Sequence, residues 1–364
     1  MAATHDEAEA RGVGSRIARA VRGLAPGYFA LVMGSGIISV GLRLEGFEAL
    51  SVVLAWICGV AYVVLVTLTL WRLLRHRAAI RDDFTDPRRA FGFFTFVAGT
   101  NVLGVRLSMD GHLAWTAGLL VLALIAWFVL GYVVPWTAVL GRTTRPVVAT
   151  ANGTWFIWVV ASQSIAVASA SLQPVAPAEL SGWLAVLAVL SWSVGVFLYG
   201  AAGVLVMLRM MLYELRPIDL NPPYWVAMGA CAITVLAGAR IVEMAAAPMV
   251  DATRGLVAGL SVVFWAFATW LIPPLLAAGW WRHVHHRVPL TYDPTLWSIV
   301  FPLGMYAVAG IYLGRADHLP VVGAIGAVEL WFALLVGVLV FAAMLVNLWR
   351  TVVVGAEARP RRAP

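Results

Sequence analysis

Apolar residues run unbroken through ten stretches of this chain, at 26–43, 50–74, 91–107, 112–140, 147–170, 181–213, 223–245, 254–281, 295–314 and 327–350, and charged residues collect between them. An α-helix rises about 1.5 Å per residue, so roughly 20 apolar residues cross the hydrocarbon core of a bilayer. The runs are continuous and do not alternate with period two, which predicts helices and excludes a membrane β-barrel. The expected fold class is an all-α integral membrane protein, its ten transmembrane helices paired as five helical hairpins. It occupies 24–352, between a tail at 1–23 and another at 353–364, and leaves no stretch for a soluble domain.

Odd and even members of the series differ. Odd members carry small and polar residues inside the apolar run: Gly34-Ser35-Gly36, Gly99-Thr100-Asn101, Asn152-Gly153-Thr154, Thr234 with Gly238, and Ser298 with Pro302 and Gly304. Even members are longer and rich in Leu, Val and Trp. Irregular backbone is costly against lipid, so the pattern predicts short odd helices inside and long tilted even helices outside. The ninth run, Trp297-Ser298-Ile299-Val300-Phe301-Pro302-Leu303-Gly304, shows the constraint best. Pro302 has no N–H, so the Ser298 carbonyl one turn back loses its partner. A helix break at Pro302, beside Phe301, is expected against other helices or a water-filled path.

Composition agrees. Hydrophobic residues make up 62% and charged residues 12%, with a mean hydropathy of +0.89, whereas a soluble domain carries roughly 25% charged residues. The 25 basic residues are all Arg. They fall in the N-terminal tail, at 72–89, 142–145, 209–216 and 282–287, and at the C-terminal end, except for Arg43, Arg106, Arg240, Arg254 and Arg315. In a ten-span topology the larger group of 20 lies on one side and those five on the other. The positive-inside rule then places both termini in the cytoplasm, and the +7 charge describes membrane-flanking loops, not a nucleic-acid surface. The stripe Arg72 to Arg89 is expected to be a lipid-facing loop. The N-terminal 23 residues have no signal-peptide core and read as a flexible tail. Cys58 and Cys231 sit in apolar helices as small buried hydrophobes.

Four of the five exceptional arginines share one position. The odd helices end Gly41-Leu42-Arg43, Gly104-Val105-Arg106, Gly238-Ala239-Arg240 and Gly314-Arg315, while the fifth ends Ser169-Ala170-Ser171. The spacing is 63 residues from Arg43 to Arg106 and 75 from Arg240 to Arg315, as an internal repeat of hairpins gives. Around a common axis, these guanidinium groups would ring the outer mouth and attract anions. The competing reading is that they snorkel to headgroups, and that Arg240 pairs with Glu243 three residues on. A bare ring would make anion entry fall on Arg→Gln replacement, most at low salt. Arg254 reads as an anchor. Glu243 is the one carboxylate expected at any depth, which argues for a passive anion route over a proton-driven one. His283, His285 and His286 lie in a loop with no nearby Cys or carboxylate to complete a metal site, and no nucleotide-binding loop occurs. No cofactor and no enzyme chemistry are indicated.

Taken together, the five hairpins, the opening Pro26-Gly27-Tyr28-Phe29 with Met33-Gly34-Ser35-Gly36, the Gly99-Thr100-Asn101 step and the Trp297–Pro302 segment resemble the tellurite-resistance/dicarboxylate transporter family, over roughly residues 22 to 352. That family includes slow anion channels, tellurite-resistance proteins, malate permeases and sulfite exporters. The resemblance implies a plasma-membrane homotrimer, each protomer with its own pore lined by five inner helices and blocked by a phenylalanine, here Phe301. Pore-lining candidates are Gly34, Ser35, Phe96, Thr100, Asn101, Asn152, Thr154, Thr234 and Ser298. For Phe301, Phe96 and Trp155 the alternative is ordinary aromatic packing, and for Asn101 and Asn152 it is interhelical hydrogen bonding. The expected function is passage of small inorganic or organic anions, either sulfite- and tellurite-type oxyanions or C4-dicarboxylates. A proton-coupled C4-dicarboxylate carrier is the alternative. A membrane-embedded enzyme or sensor would need clustered His, Asp or Glu at depth.

Overall fold

The structure, a computed structural model, describes residues 13–141 and 145–355. Residues 1–12 and 356–364 of the two expected tails, and Arg142 of the basic cluster, lie outside the described residues. Among the described residues there is no strand, and ten helices are long and apolar enough to cross a membrane. Most of these spans include short 3₁₀ or π turns at their ends, and their α-helical parts are α1 (Ala30–Leu44), α2 (Glu48–Arg75), α3 (Phe94–Ser108), α4 (Leu113–Val134), α5 (Phe156–Leu172), α6 (Ala178–Leu212), α7 (Val226–Val242), α8 (Pro248–Trp280), α9 (Trp297–Ala316) and α10 (Pro320–Leu348). After α5, which begins at Phe156 and not 147, the starts that depart most from expectation are those of α8, at Pro248 and not 254, and of α10, at Pro320 and not 327. Proline stands at the first helical position in both, where a missing N–H costs nothing.

Each odd helix is entered through a 3₁₀ turn: Pro26–Phe29, Ala90–Phe93, Gly153–Trp155, Pro222–Trp225 and Pro294–Leu296. Consecutive helices pack as α1–α2, α3–α4, α5–α6, α7–α8 and α9–α10. The odd helices also pack on one another in a closed order, α1–α3–α5–α7–α9 and back to α1, and their 3₁₀ turns touch in the same order. Close approach of the turns depends on Gly153, where a Cβ would collide with the Pro223 carbonyl. In the apolar stretches of the odd helices 78–89% of residues are buried, against 17–39% in the even ones. The short, irregular helices are thus inside and the long ones outside.

The N-terminal stretch expected to be flexible is helical over Val13–Arg22 and packs against α2 and the turn Trp349–Val354 that follows α10. The basic stripe also departs from expectation. Arg77–Thr85 is a helix, and the Arg72 guanidinium is buried, 2.7 Å from Asp83, while donating to the carbonyls of Arg22 and Ala79. Asp83 takes Arg89 as well, at 2.7 Å. A buried carboxylate is tolerated only when paired and hydrogen-bonded, so this set clasps the N-terminal helix to the bundle and does not face lipid.

The hairpin α9–α10 is held backbone to backbone. A Cβ on Gly326 would sit 2.5 Å from the Ala307 carbonyl oxygen and 2.8 Å from the Ile311 nitrogen, whereas nothing lies within 4 Å of one on Gly255 of α8. Gly326→Ala is expected to destabilise the protein by about 1–3 kcal/mol, and Gly255→Ala to be neutral or mildly stabilising. Thermal melting in detergent compares the two.

Candidate functional site

The ring of odd helices borders two spaces of different size. On the arginine-rich side a cavity of about 2490 Å³ is lined by all five 3₁₀ turns, through Gly27, Gly92, Thr154, Pro223 and Thr295 among others, and it also runs along a groove between α2 and α10. It reaches Leu31, Ile157 and Ser298, the second residues of α1, α5 and α9. Toward the opposite side lies a cavity of about 20 Å³ to which every odd helix contributes, with Ile37, Asn101, Ser164, Ile233 and Met305 in its wall and Arg240 and Tyr312 beside it. That volume holds about one water molecule.

A packed layer separates the two. On α9, Ser298 borders the wide cavity and Met305 the small one, seven residues apart on one helix face. Phe301 and Pro302 fall one turn along between them, and Phe301 is 1% exposed. The layer is about 10 Å deep by helical rise. Pro302 does not break the helix as expected: α9 is continuous from Trp297 to Ala316. The proline instead packs against Gly229 of α7, where a Cβ would lie 2.8 Å from the ring. It is the sixth residue of α9, past the four N–H groups that a helix start leaves free, so the Ser298 carbonyl gives up one helix bond while the helix continues.

The pore-lining candidates divide by helix face. Asn101 lines the small cavity; Thr154 and Ser298 line the wide one. The others face elsewhere. Thr100 bonds the Tyr62 hydroxyl of α2 at 3.0 Å, and the Phe96 ring stacks near Tyr62 and Phe29. The Ser35 and Thr234 hydroxyls donate to their own helices, at Leu31 O and Ala230 O. Gly34 lets α9 approach, since a Cβ there would lie 3.1 Å from Val300 and 3.3 Å from Trp297. Asn152 caps a 3₁₀ turn, accepting from the Thr154 N–H and hydroxyl. Trp155 donates to the Pro87 carbonyl and stacks on Phe91. Met305 and Tyr312 are not singled out by the sequence, and Ser164 stands there only as part of the polar step Ser162-Gln163-Ser164 in the fifth run. Ser164 sits seven residues after Ile157, the face of α5 that borders both cavities, but that phase is visible only once one lining residue is known.

Asn101 is 1% exposed. Its Nδ2 donates to Ser164 Oγ at 2.9 Å, Ser164 Oγ donates to the Ala161 carbonyl at 2.7 Å, and Asn101 Oδ1 has no hydrogen-bond partner. Such a buried, unsatisfied acceptor costs about 1–3 kcal/mol.

The outer-mouth arginines are not a bare cationic ring. Arg43 lies 2.8 Å from Glu48 and 3.7 Å from Asp110, Arg106 lies 2.6 Å from Asp110, Arg240 lies 3.0 Å from Glu243 and Arg315 lies 2.9 Å from Glu45. Four arginines meet four carboxylates, so the field expected there is cancelled at short range. Arg106 is also turned from the axis, 1% exposed and donating to Ser39 Oγ of α1. Only Arg240 of the four borders the small cavity, with its guanidinium 5.3 Å from the centre of the Tyr312 ring. Arg254 reaches Asp251 and the Val242 carbonyl, as an anchor would. Glu243 is not the one carboxylate at depth: Glu329 is the tenth residue of α10 and half-buried, displaced inward by the earlier start of that helix.

Positive charge concentrates at the other mouth. Arg88, Arg216 and Arg287 line the wide cavity. Arg216 is paired with Asp219 at 3.2 Å. Burial works against the Asp219 carboxylate, but the hydrogen bonds and charge of Arg216, with Arg209, hold it below the usual range. Arg88 and Arg287 make no ion pair among the described residues. The N-termini of five parallel helices add to them, each equivalent to about half a positive charge.

Residues 23–352 match the family described as voltage-dependent anion channel, SLAC1. An uncharacterized membrane protein of Mycobacterium tuberculosis is 65% identical over 156 residues, 43% of this chain and 79% of that protein. Two uncharacterized transporters of Methanocaldococcus jannaschii are each 23% identical, one over 316 residues, covering 84% of this chain and 88% of its own length, the other over 301, covering 79% and 83%.

The electrostatics move the expected sensitivity from one mouth to the other. Arg88→Gln with Arg287→Gln should reduce anion flux severalfold at about 10 mM salt, with the difference shrinking at 150 mM as the Debye length falls from about 30 Å to 8 Å. Arg315→Gln should change it little, because its half-exposed pair with Glu45 is worth about 0–1 kcal/mol. Flux into proteoliposomes at the two salt concentrations measures both.

Proposed function

The chain belongs to the voltage-dependent anion channel family, and from that premise we propose that it passes small anions across the plasma membrane, along the axis of the five odd helices. The observation that carries this reading is the convergence of five 3₁₀ turns, each leading into a helix N-terminus, on one wide cavity. Helix N-termini favour anions, and unpaired Arg88 and Arg287 reinforce them. The positive-inside rule puts that mouth, with both chain ends, in the cytoplasm. Phe301 is the gate: it is buried in the packed layer between the cavities, one helical turn from Ser298 at the wide cavity and one from Met305 at the small one. Sulfite- and tellurite-type oxyanions and C4-dicarboxylates are the substrate classes the family resemblance offers, and a trimer with one pathway per protomer is the assembly it implies.

A proton-coupled carrier of C4-dicarboxylates is the second reading, and Glu329 favours it. This carboxylate lies within a spanning helix and close enough to Tyr306 of α9 to interact with it electrostatically. It stands on an outer helix and does not line either cavity.

Phe301→Ala is expected to raise anion flux severalfold in proteoliposomes while lowering stability by about 3–5 kcal/mol. Unchanged flux from well-folded protein would remove Phe301 as the gate. Flux of malate that follows an imposed pH gradient, and stops responding to it in Glu329→Gln, would favour the carrier.

A further inference from the structure

We propose that Asn101 is the specificity-determining residue of the outer half of the pathway, its amide turning about to donate a hydrogen bond to a singly charged, partly dehydrated anion. The inference rests on the anion-pathway reading and adds to it a residue and an atom.

The small cavity offers an ion little else. Its wall is mostly aliphatic, from residues such as Ile37, Val102, Ile233 and Met305. Arg240 stands at its outer end, but Glu243 neutralises the guanidinium and Tyr312 covers it, so no bare cation is present to trap an anion. The buried Asn101 and Ser164 remain. As the side chains stand, the free atom is Asn101 Oδ1, an acceptor, which suits a water donating to it and repels an anion.

The two ends of a carboxamide have nearly the same shape. A half-turn about the last side-chain bond brings Nδ2 toward the cavity and Oδ1 to Ser164. Ser164 Oγ then swings its proton from the Ala161 carbonyl to Oδ1, and the carbonyl is left to its ordinary helical partner. Every polar group is satisfied in the turned state once an anion accepts from Nδ2. The same residue therefore holds a water at rest and an anion in passage, with no fixed charge on the axis. A single neutral donor in an aliphatic wall favours anions that accept strong hydrogen bonds over weakly hydrated ones, and offsets one charge better than two.

Reversal potentials under bi-ionic conditions test this, with chloride against thiocyanate as probes on the full chain in planar bilayers. Asn101→Leu keeps the branching at Cγ and removes the donor, and the chloride-to-thiocyanate permeability ratio should fall about tenfold. Ser164→Ala removes the group that anchors Oδ1 in the turned state and should shift the ratio in the same direction by less, which provides a reading if Asn101→Leu does not fold. Asn101→Ser retains a donor and should stay near the wild-type ratio. Measurable current with an unchanged ratio in Asn101→Leu and Ser164→Ala overturns the role of Asn101 and leaves the pathway standing. Absence of anion current from wild type and from Phe301→Ala overturns both.

Discussion

Hydrocarbon offers no partner to a backbone N–H or carbonyl, and this one fact orders the whole chain. The five 3₁₀ turns, the interior glycines and Pro302 all leave backbone groups short of regular helix bonds or bring backbones into contact. None could face lipid cheaply. Enclosing them requires other helices on every side, and the long even helices supply that wall. Their near-uniform apolarity and the irregularity of the odd helices are therefore two sides of one arrangement. The close approaches make the ring tight: the Gly153 turn against Pro223, Gly229 against Pro302, Gly326 against Ala307.

Charge is distributed by a different logic at the two mouths. At the outer one, each arginine that ends an odd helix also sits near that helix's negative C-terminus, and is satisfied by a carboxylate from a short connecting loop, the turn beside it or, for Arg43, the first residue of α2. Asp110 serves both Arg43 and Arg106 and so ties α1 to α3. Where the fifth helix lacks an arginine, Gln173 performs the tie, bonding Ser181 and the Ala245 N–H. The outer rim is a cross-linked collar of paired charges. At the inner mouth positive helix ends and the arginines Arg88 and Arg287 point the same way, and among the described residues Asp293 is the one carboxylate that lines the cavity with them. The asymmetry is built from the parallel direction of the five odd helices more than from any single residue.

Much of this was legible in the residues. The ten spans and the inner and outer classes follow from where Gly, Pro and Asn interrupt apolar runs, because lipid penalises those interruptions wherever they occur. The direction in which one polar residue points was not legible. Asn101 and Thr100 are neighbours in sequence, yet one meets the central cavity and the other Tyr62 of an outer helix. A hydrophobic stripe normally reveals helix phase, and a helix enclosed on all sides has none. The outer arginines misled for another reason. The Arg240–Glu243 pair is visible at a spacing of three, whereas Arg315 finds Glu45 from the far end of the chain. The helix starts at Pro248 and Pro320 are not legible in the apolar runs, which begin after them, and this conceals the depth of Glu329.

The narrow layer at Phe301 has an electrical consequence. A broad aqueous vestibule conducts well and supports almost none of a transmembrane voltage, so the voltage drop is confined to the packed stretch between Ser298 and Arg240. Squeezing 100 mV, worth about 2.3 kcal/mol per unit charge, into a fraction of the bilayer's roughly 30 Å multiplies the local field. A phenyl ring carries no charge with which to sense that field. An ion pressed against it does, so any voltage dependence at this barrier would come from the permeating ion itself.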